Sequence, residues 1–193
     1  MSKFPDWFSR VEPVFEQYLA EYRGQDNLLF LQIGAYTGDA SEWLCREILT
    51  SRSSILVDVD TWQGSDEEAH KRIDFNEVEA YYDERMKPYP RAIKCKARSS
   101  EYLIAAEKEN FDFIYVDGDH TAAAVIEDAI LGWRALKPGG IIAFDDYRWS
   151  HPKKDERYKP LPAIDFFINY YVLRENCFIY PVDNLEQVWI KKL

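Results

Sequence analysis

Short apolar runs alternate with helix-like stretches across the middle of the chain, and this alternation limits the fold more than any other feature. The five strand-like runs are 28–33, 54–59, 91–96, 111–116 and 141–146. The helix-like stretches between them are 39–50, 67–86, 99–109 and 120–136. Strands that are joined through helices pair in parallel, because each crossover helix returns the chain to the same end of the sheet. We therefore predict an α/β protein with a mostly parallel sheet and helices on both faces.

The two ends of the chain depart from this alternation. A predicted helix over 163–173 precedes two apolar runs, 177–182 and 187–192, which their short connection must pair as an antiparallel hairpin. Residues 1–25 carry one apolar helix face and form a predicted helical extension. Pro13 favours a helix start at that point, with the earlier residues packing as a separate turn, because proline is tolerated only in the first turn of a helix.

Length and composition fit a single soluble domain over residues 1–193. Apolar residues make up 47% of the chain and charged residues 30%, and the net charge of −10 would repel a phosphate backbone, which argues against nucleic acid as a partner. No apolar run reaches the roughly 20 residues of a membrane-spanning helix, and the N-terminus lacks a secretory signal. Cys45, Cys95 and Cys177 lack metal-site spacing and predict reduced thiols in the cytoplasm. The oligomeric state stays open, a homo-oligomer included.

Unusual polar residues follow nearly every predicted strand, where open α/β sheets bind their ligands. After the first strand, Gly34 and Gly38 stand four residues apart and would let the backbone turn tightly and approach a ligand. The third glycine of a dinucleotide-binding loop is missing, and no phosphate-binding lysine follows. A plain strand-to-helix turn is the alternative interpretation.

The second strand ends at an acidic residue that is a candidate for binding ribose. The Asp60 carboxylate could accept hydrogen bonds from two ribose hydroxyls, and Asp58, two residues earlier, is the competing candidate. Trp62 would either cover an adenine ring or simply pack.

Carboxylates also follow the fourth and fifth strands. Asp117 and His120 belong to the first group, in which Asp119 is the most natural helix cap, and Asp145 and Asp146 form the second. Three carboxylates on one spot repel each other unless a hard dication neutralises them, so Asp117, Asp145 and Asp146 predict a site for Mg²⁺, Mn²⁺ or Ca²⁺. His70 and His151 lie in polar stretches and are predicted to be exposed to solvent.

Taken in order, the motifs QIGAYTG, VDTWQG, ARSSEYL, FIYVDGDH, LKPGG and AFDDY resemble those of the class I S-adenosylmethionine (SAM)-dependent methyltransferases. The resemblance runs from about residue 28 to the C-terminus. Within the class it is closest to small bacterial proteins related to the metal-dependent macrolide-sugar O-methyltransferases. It implies a Rossmann-like sheet of seven strands that ends in an antiparallel hairpin, and methyl transfer to a hydroxyl of a small molecule.

The resemblance also implies roles for particular residues. Those expected to contact SAM are Gln32, Gly34, Ala35, Tyr36, Gly38, Asp60, Thr61, Trp62, Ser99 and Asp117. The metal, Mg²⁺ or another divalent cation, is expected on Asp117, Asp145 and Asp146, with His120 as the general base. A helix N-terminus next to His120 would disfavour the charged imidazolium and keep the ring able to accept a proton.

The chain departs from its relatives at two positions. Gln32 stands where many of them have glutamate, and Ala40 where serine or threonine is common. Both changes favour a rival hypothesis, a binding protein that keeps the fold without catalysis. A nucleotide-binding oxidoreductase is a second rival, disfavoured by the missing third glycine.

Overall fold

Seven strands form one sheet in the computed structural model, which describes residues 3–65, 70–149, 155–172, 177–182 and 186–193. The strands are β1 (Leu29–Ile33), β2 (Ile55–Asp60), β3 (Ala92–Lys96), β4 (Phe111–Val116), β5 (Leu136–Phe144), β6 (Cys177–Tyr180) and β7 (Val188–Lys192). Their order across the sheet is β3-β2-β1-β4-β5-β7-β6. This confirms the predicted Rossmann-like sheet of seven strands.

Strands β1 to β5 pair in parallel, whereas β7 pairs antiparallel with both β5 and β6. β7 lies between β5 and β6, so the predicted hairpin pairs with the edge of β5 through its second strand. Its connecting residues, 183–185, lie outside the described residues. The strand order reverses between β1 and β4, which opens a crevice beyond their carboxyl ends.

Helices cover both faces of the sheet, and within the described residues all are too short or too polar to cross a lipid bilayer. They are α1 (Glu12–Leu19), α2 (Asp39–Trp43), α3 (Phe75–Met86), α4 (Ser99–Ala105), α5 (Ala122–Ala135) and α6 (Pro160–Phe166). α1 has Pro13 in its first turn, as predicted. α2 and α6 each continue into one wider π-helical turn, Leu44–Ile48 and Phe167–Tyr171.

Several predicted boundaries were wrong: α4 ends at Ala105 rather than near 109, and α6 begins at Pro160 rather than 163. The two largest shifts have identifiable causes. α3 begins at Phe75 rather than near 67, because the Asp74 carboxylate caps it by accepting the Asn76 N–H. β5 begins at Leu136, well before the predicted Ile141, because Leu136 already pairs with Phe111 of β4. A register irregularity in this pairing accommodates the intervening proline and glycines.

The N-terminal extension is part of the core. Phe15 of α1 is fully buried and makes edge-to-face contacts with Phe113, Tyr115 and Trp189, at 4.9–6.0 Å between ring centroids. Such geometry adds to the free energy of burial for aromatic rings. The extension is thereby held across the face formed by β4, β5 and β7, and the residues before α1 reach the crevice.

Candidate active site

The crevice begins at a glycine that packing makes obligatory. Gly34 has φ +85°, and a Cβ atom there would lie 1.9 Å from the carbonyl oxygen of Asp117. The turn after β1 therefore lies directly against the end of β4. Gly38 has φ +80° and precedes α2, and a Cβ atom there would meet the Tyr82 ring at 3.0 Å. Both glycines of the motif serve the backbone conformation of this turn.

Asp60 holds the same turn from the neighbouring strand. Its carboxylate accepts the backbone N–H groups of Ala35 at 2.8 Å, Tyr36 at 2.9 Å and Trp62 at 2.7 Å. A carboxylate offers about four acceptor positions, so room for a further hydrogen bond remains. Asp60 therefore anchors the glycine loop, a role that the sequence did not reveal, and still faces the crevice.

The competing acid, Asp58, points into the protein interior. It is fully buried and accepts a hydrogen bond from the Tyr82 hydroxyl at 2.7 Å. Burial raises its pKa to about 7. Asp58 does not line the crevice, which leaves Asp60 as the acid placed to meet a ligand.

The crevice contains a cavity of about 590 Å³, a volume within the range of small-molecule sites. The predicted site residues that line it are Gly34, Tyr36, Asp60, Thr61, Ser99, Asp117, His120, Asp145 and Asp146. Gln32 and Ala35 line a separate cavity of about 40 Å³. Gly38 and Trp62 line neither of these two cavities.

Gln32 and Trp62 are engaged by the protein itself. The Gln32 amide nitrogen donates to the Gly34 carbonyl at 3.1 Å, and its oxygen accepts the Ser41 hydroxyl at 3.3 Å. The Trp62 ring is buried, and its N–H donates to the Tyr36 carbonyl at 3.0 Å. Of the two alternatives for Trp62, this structure shows packing. Both side chains stabilise the glycine loop.

A cluster of Asp117, Asp146 and His120 lies where β4 and β5 end. His120 Nε2 is 3.6 Å from Asp117 Oδ1 and 3.3 Å from Asp146 Oδ2. One ligand atom from each residue falls within 4.8 Å of the others, so a divalent cation held by the two carboxylates would lie beside the imidazole. The cluster lines the cavity floor beside the glycine loop.

Asp145, a predicted metal ligand, has both carboxylate oxygens engaged within the protein. One carboxylate oxygen accepts the Tyr115 hydroxyl and the other accepts the Asp146 N–H at 2.7 Å. Because Asp146 has a left-handed backbone, φ +53°, this second bond holds it in a conformation that few non-glycine residues adopt. In this structure Asp145 therefore orients Asp146.

The electrostatics of the cluster favour a bound cation. Burial raises the pKa values of Asp117 and Asp145, and repulsion between carboxylates raises them further. A divalent cation would remove that repulsion.

The residues between β4 and α5 correct one prediction. Thr121, not Asp119, caps α5 by accepting the Ala124 N–H, while Asp119 accepts the Thr121 N–H at 2.8 Å. Ser99, the residue predicted near adenine, lines the cavity and hydrogen-bonds to Asp128. Burial raises the pKa of Asp128 to about 7.

The cavity wall also includes residues to which sequence reasoning gave no individual role, among them Trp7, Arg10, His70, Arg98 and Trp149. His70 was predicted to be exposed, but its Nδ1 accepts the Ser65 N–H at 3.0 Å. Trp149 lies against His120, with 5.1 Å between the rings. His151, the other histidine predicted to be exposed, lies outside the described residues.

Comparison with known proteins identifies the family. The profile of the methyltransferase domain family matches residues 31–147, which include the glycine loop, Asp60 and the carboxylate cluster. The chain belongs to this methyltransferase family. The resemblance found in the sequence motifs is thereby confirmed.

One curated relative is similar to this chain in sequence, and two solved structures are similar to it in fold. Uncharacterized protein R132 of Acanthamoeba polyphaga mimivirus is 27% identical over 144 residues, which cover 68% of this chain. A candidate rRNA methylase of Clostridium thermocellum superposes with a TM-score of 0.69 at 9% identity, covering 100% of this chain and 98% of that one. MycE methyltransferase of the mycinamycin biosynthetic pathway, solved with Mg, S-adenosylhomocysteine (SAH) and mycinamycin VI, gives 0.62 at 18% identity, covering 99% of this chain. The chain spans 58% of R132 and 50% of MycE.

Proposed function

We propose that this methyltransferase transfers the methyl group of SAM to a hydroxyl of a small molecule, assisted by a divalent cation. The observation that carries the proposal is a single cavity that joins the glycine loop and Asp60 on one side to Asp117, Asp146 and His120 on the other. A cofactor site and an acid–base site are thus in contact. SAM supplies the methyl group from its sulfonium.

On the cofactor side, the chain offers a rigid loop and one acid. The Gly34 turn lets a ligand approach the backbone at the end of β1, and Asp60 is positioned for the ribose hydroxyls. Thr61 and Ser99 line the cavity together with Asp60 and are proposed to lie near the nucleoside. The role of these residues is to hold the methyl donor in line with the acceptor.

On the acceptor side, His120 is the proposed general base. Its Nε2 atom faces the two carboxylates that would hold the cation, so a hydroxyl brought to the cluster lies near the imidazole. A bound divalent cation would lower the pKa of that hydroxyl. Asp117 and Asp146 would hold the cation, and His120 would take the proton as the oxygen attacks the methyl carbon.

The net charge of the chain and the volume of the cavity both favour a small acceptor. A net charge of −10 and a carboxylate cluster at the reaction centre oppose an approaching phosphate backbone. A cavity of about 590 Å³ accommodates a cofactor with little more than a ring beside it.

Two measurements test the proposal. Titration calorimetry with SAH and, separately, NAD⁺ is expected to show binding of SAH alone, whereas binding of NAD⁺ alone would favour an oxidoreductase. Incubation with labelled SAM, Mg²⁺ and a panel of diols, amines and thiols is expected to yield a methyl ether from a diol, detected by mass spectrometry. SAH binding without transfer to any diol, amine or thiol of the panel would instead favour the binding protein without catalysis.

A further inference from the structure

The N-terminal segment Trp7–Arg10 crosses the mouth of the cavity. At one end the Trp7 ring stacks on Tyr36, after β1, with 4.5 Å between centroids and 24° between planes. At the other end the Arg10 guanidinium lies 3.3 Å from Asp146 Oδ1, after β5. The segment therefore spans from the expected cofactor loop to the carboxylate cluster, and a ligand beside the cluster has to meet it.

Trp7 offers a flat apolar surface to that ligand. Its side chain is 38% exposed, although one face is covered by Tyr36, and it lines the cavity. A large aromatic ring left accessible at a cavity wall binds a second flat ring well, because burial and ring stacking act together. Trp149, against His120, gives the same cavity a second indole.

Arg10 offers the cavity a cation. Its contacts with Asp146 at 3.3 Å and with Glu186 at 3.5 Å are long for charged hydrogen bonds, and 49% of its side chain is exposed. If a divalent cation binds the Asp146 carboxylate, the Arg10 guanidinium would lose its 3.3 Å contact with that carboxylate. The planar fork of donors then becomes available to an anionic group on a ligand.

We propose that Trp7 and Arg10 form an acceptor subsite for a ring that carries neighbouring hydroxyls and an anionic group such as a carboxylate. This inference rests on the proposed function, because the hydroxyls are placed at the Asp117–Asp146–His120 cluster. Trp7 packs on the ring face, and Arg10 binds the anion at the edge of the cluster.

The test measures binding of three probes by calorimetry in the presence of SAH and Mg²⁺. The probes are 3,4-dihydroxybenzoate, catechol, which lacks the anion, and glucuronate, in which the ring is saturated. We expect 3,4-dihydroxybenzoate or glucuronate to bind at least about tenfold more tightly than catechol, the scale of one charged hydrogen bond. The preferred acid distinguishes an aromatic from a sugar-like acceptor.

Variants assign the preference to the segment. Arg10→Gln is expected to remove the preference for the acid while catechol binding stays unchanged, and Trp7→Ala is expected to weaken both. Arg46→Gln and Tyr170→Ala remove an exposed arginine and an exposed aromatic ring elsewhere, and are expected to change neither. SAH affinity and melting temperature report whether each variant is folded.

Several outcomes would overturn the subsite. One is equal binding of acid and catechol by the wild type. Another is loss of the preference in Arg98→Gln but not in Arg10→Gln, since Arg98 is another arginine of the cavity wall. The third is no binding of any ring although SAH binds. Absence of SAH binding would instead contradict the proposed function, so the two failures are distinguishable.

Discussion

The carboxylate of Asp60 accepts the backbone N–H of Tyr36 at 2.9 Å, which ties the end of β2 to the loop that follows β1. Tyr36 has a left-handed φ of +47°, a conformation that needs support from its surroundings in a residue other than glycine. The loop shape and the proposed ribose contact thus depend on one side chain.

Replacing Asp60 tests this double role. We expect Asp60→Ala to weaken SAH binding by at least about tenfold, because hydrogen bonds to a charged group contribute roughly 1.5–3 kcal/mol and the loop loses its anchor. Calorimetry measures the affinity. The control is Asp26→Ala, which is expected to bind SAH as the wild type does. Asp26 is an exposed acid that accepts a hydrogen bond from the Ser53 hydroxyl. Unchanged affinity in Asp60→Ala would contradict the assignment.

The metal ligands are tested by comparing two adjacent acids. We expect Mn²⁺ to raise the melting temperature of the wild type and of Asp145→Asn, but not of Asp146→Asn, because the Asp145 oxygens are engaged by Tyr115 and by the Asp146 N–H. Thermal unfolding with and without Mn²⁺ measures this. The reverse pattern would restore Asp145 as a ligand, and no response in any of the three proteins would remove the metal from the mechanism.

The base is tested by removing the imidazole. For any acceptor that the wild type methylates, His120→Ala and His120→Gln are expected to reduce the rate of methyl transfer by roughly 10²–10⁴-fold, the usual contribution of a positioned base. SAH affinity is expected to stay within a few-fold, since His120 lies on the acceptor side. Single-turnover rates with labelled SAM measure the step. Turnover near the wild-type rate in both variants would place the base elsewhere.

Asp58 predicts how stability depends on pH. Its folded pKa of about 7 exceeds the ordinary 3.8, so between these values the folded state binds more protons than the unfolded state. The contribution of Asp58 to stability is therefore present below about pH 4 and is lost as pH rises towards 7, by up to about 1.4 kcal/mol per unit.

Substitution of Asp58 checks the sign. We expect Asp58→Asn to flatten this decline and to be more stable than the wild type at pH 8, as urea unfolding at several pH values measures. Glu101→Gln, at an exposed position, is the control and is expected to follow the wild type. An Asp58→Asn variant that is less stable at pH 8 would show that the charged carboxylate stabilises the fold through its hydrogen bond from the Tyr82 hydroxyl.

Most of the fold was predictable because strand and helix patterns alternate cleanly. β4 matches its predicted range at both ends, and the C-terminal hairpin followed from the short connection alone. The misplaced starts of α3 and β5 have separate physical causes, a capping aspartate and a pairing irregularity. Neither leaves a signal in hydrophobic periodicity.

The candidate site was predictable where its residues follow strands, and not where distant segments meet. Asp117, His120 and Asp146 follow two neighbouring strands, so topology alone brings them together. Arg10 meets Asp146 across 136 positions of sequence, and Trp7 reaches Tyr36 through the packing of α1. Orientation was also beyond the sequence: the Tyr115 hydroxyl engages Asp145, while Asp146 joins the cluster with Asp117 and His120.

The position of β7 has a consequence for folding during synthesis. Trp189 on this strand lies 4.9 Å from the Phe15 ring of the first helix and stacks on Phe113 at 5.4 Å. While the ribosome has yet to deliver residues 188–192, the edge of β5 is unpaired and α1 lacks one of its main partners. Until β7 is made, a nascent chain of this protein therefore presents an open apolar strand edge, the kind of surface that chaperones bind and on which aggregates form.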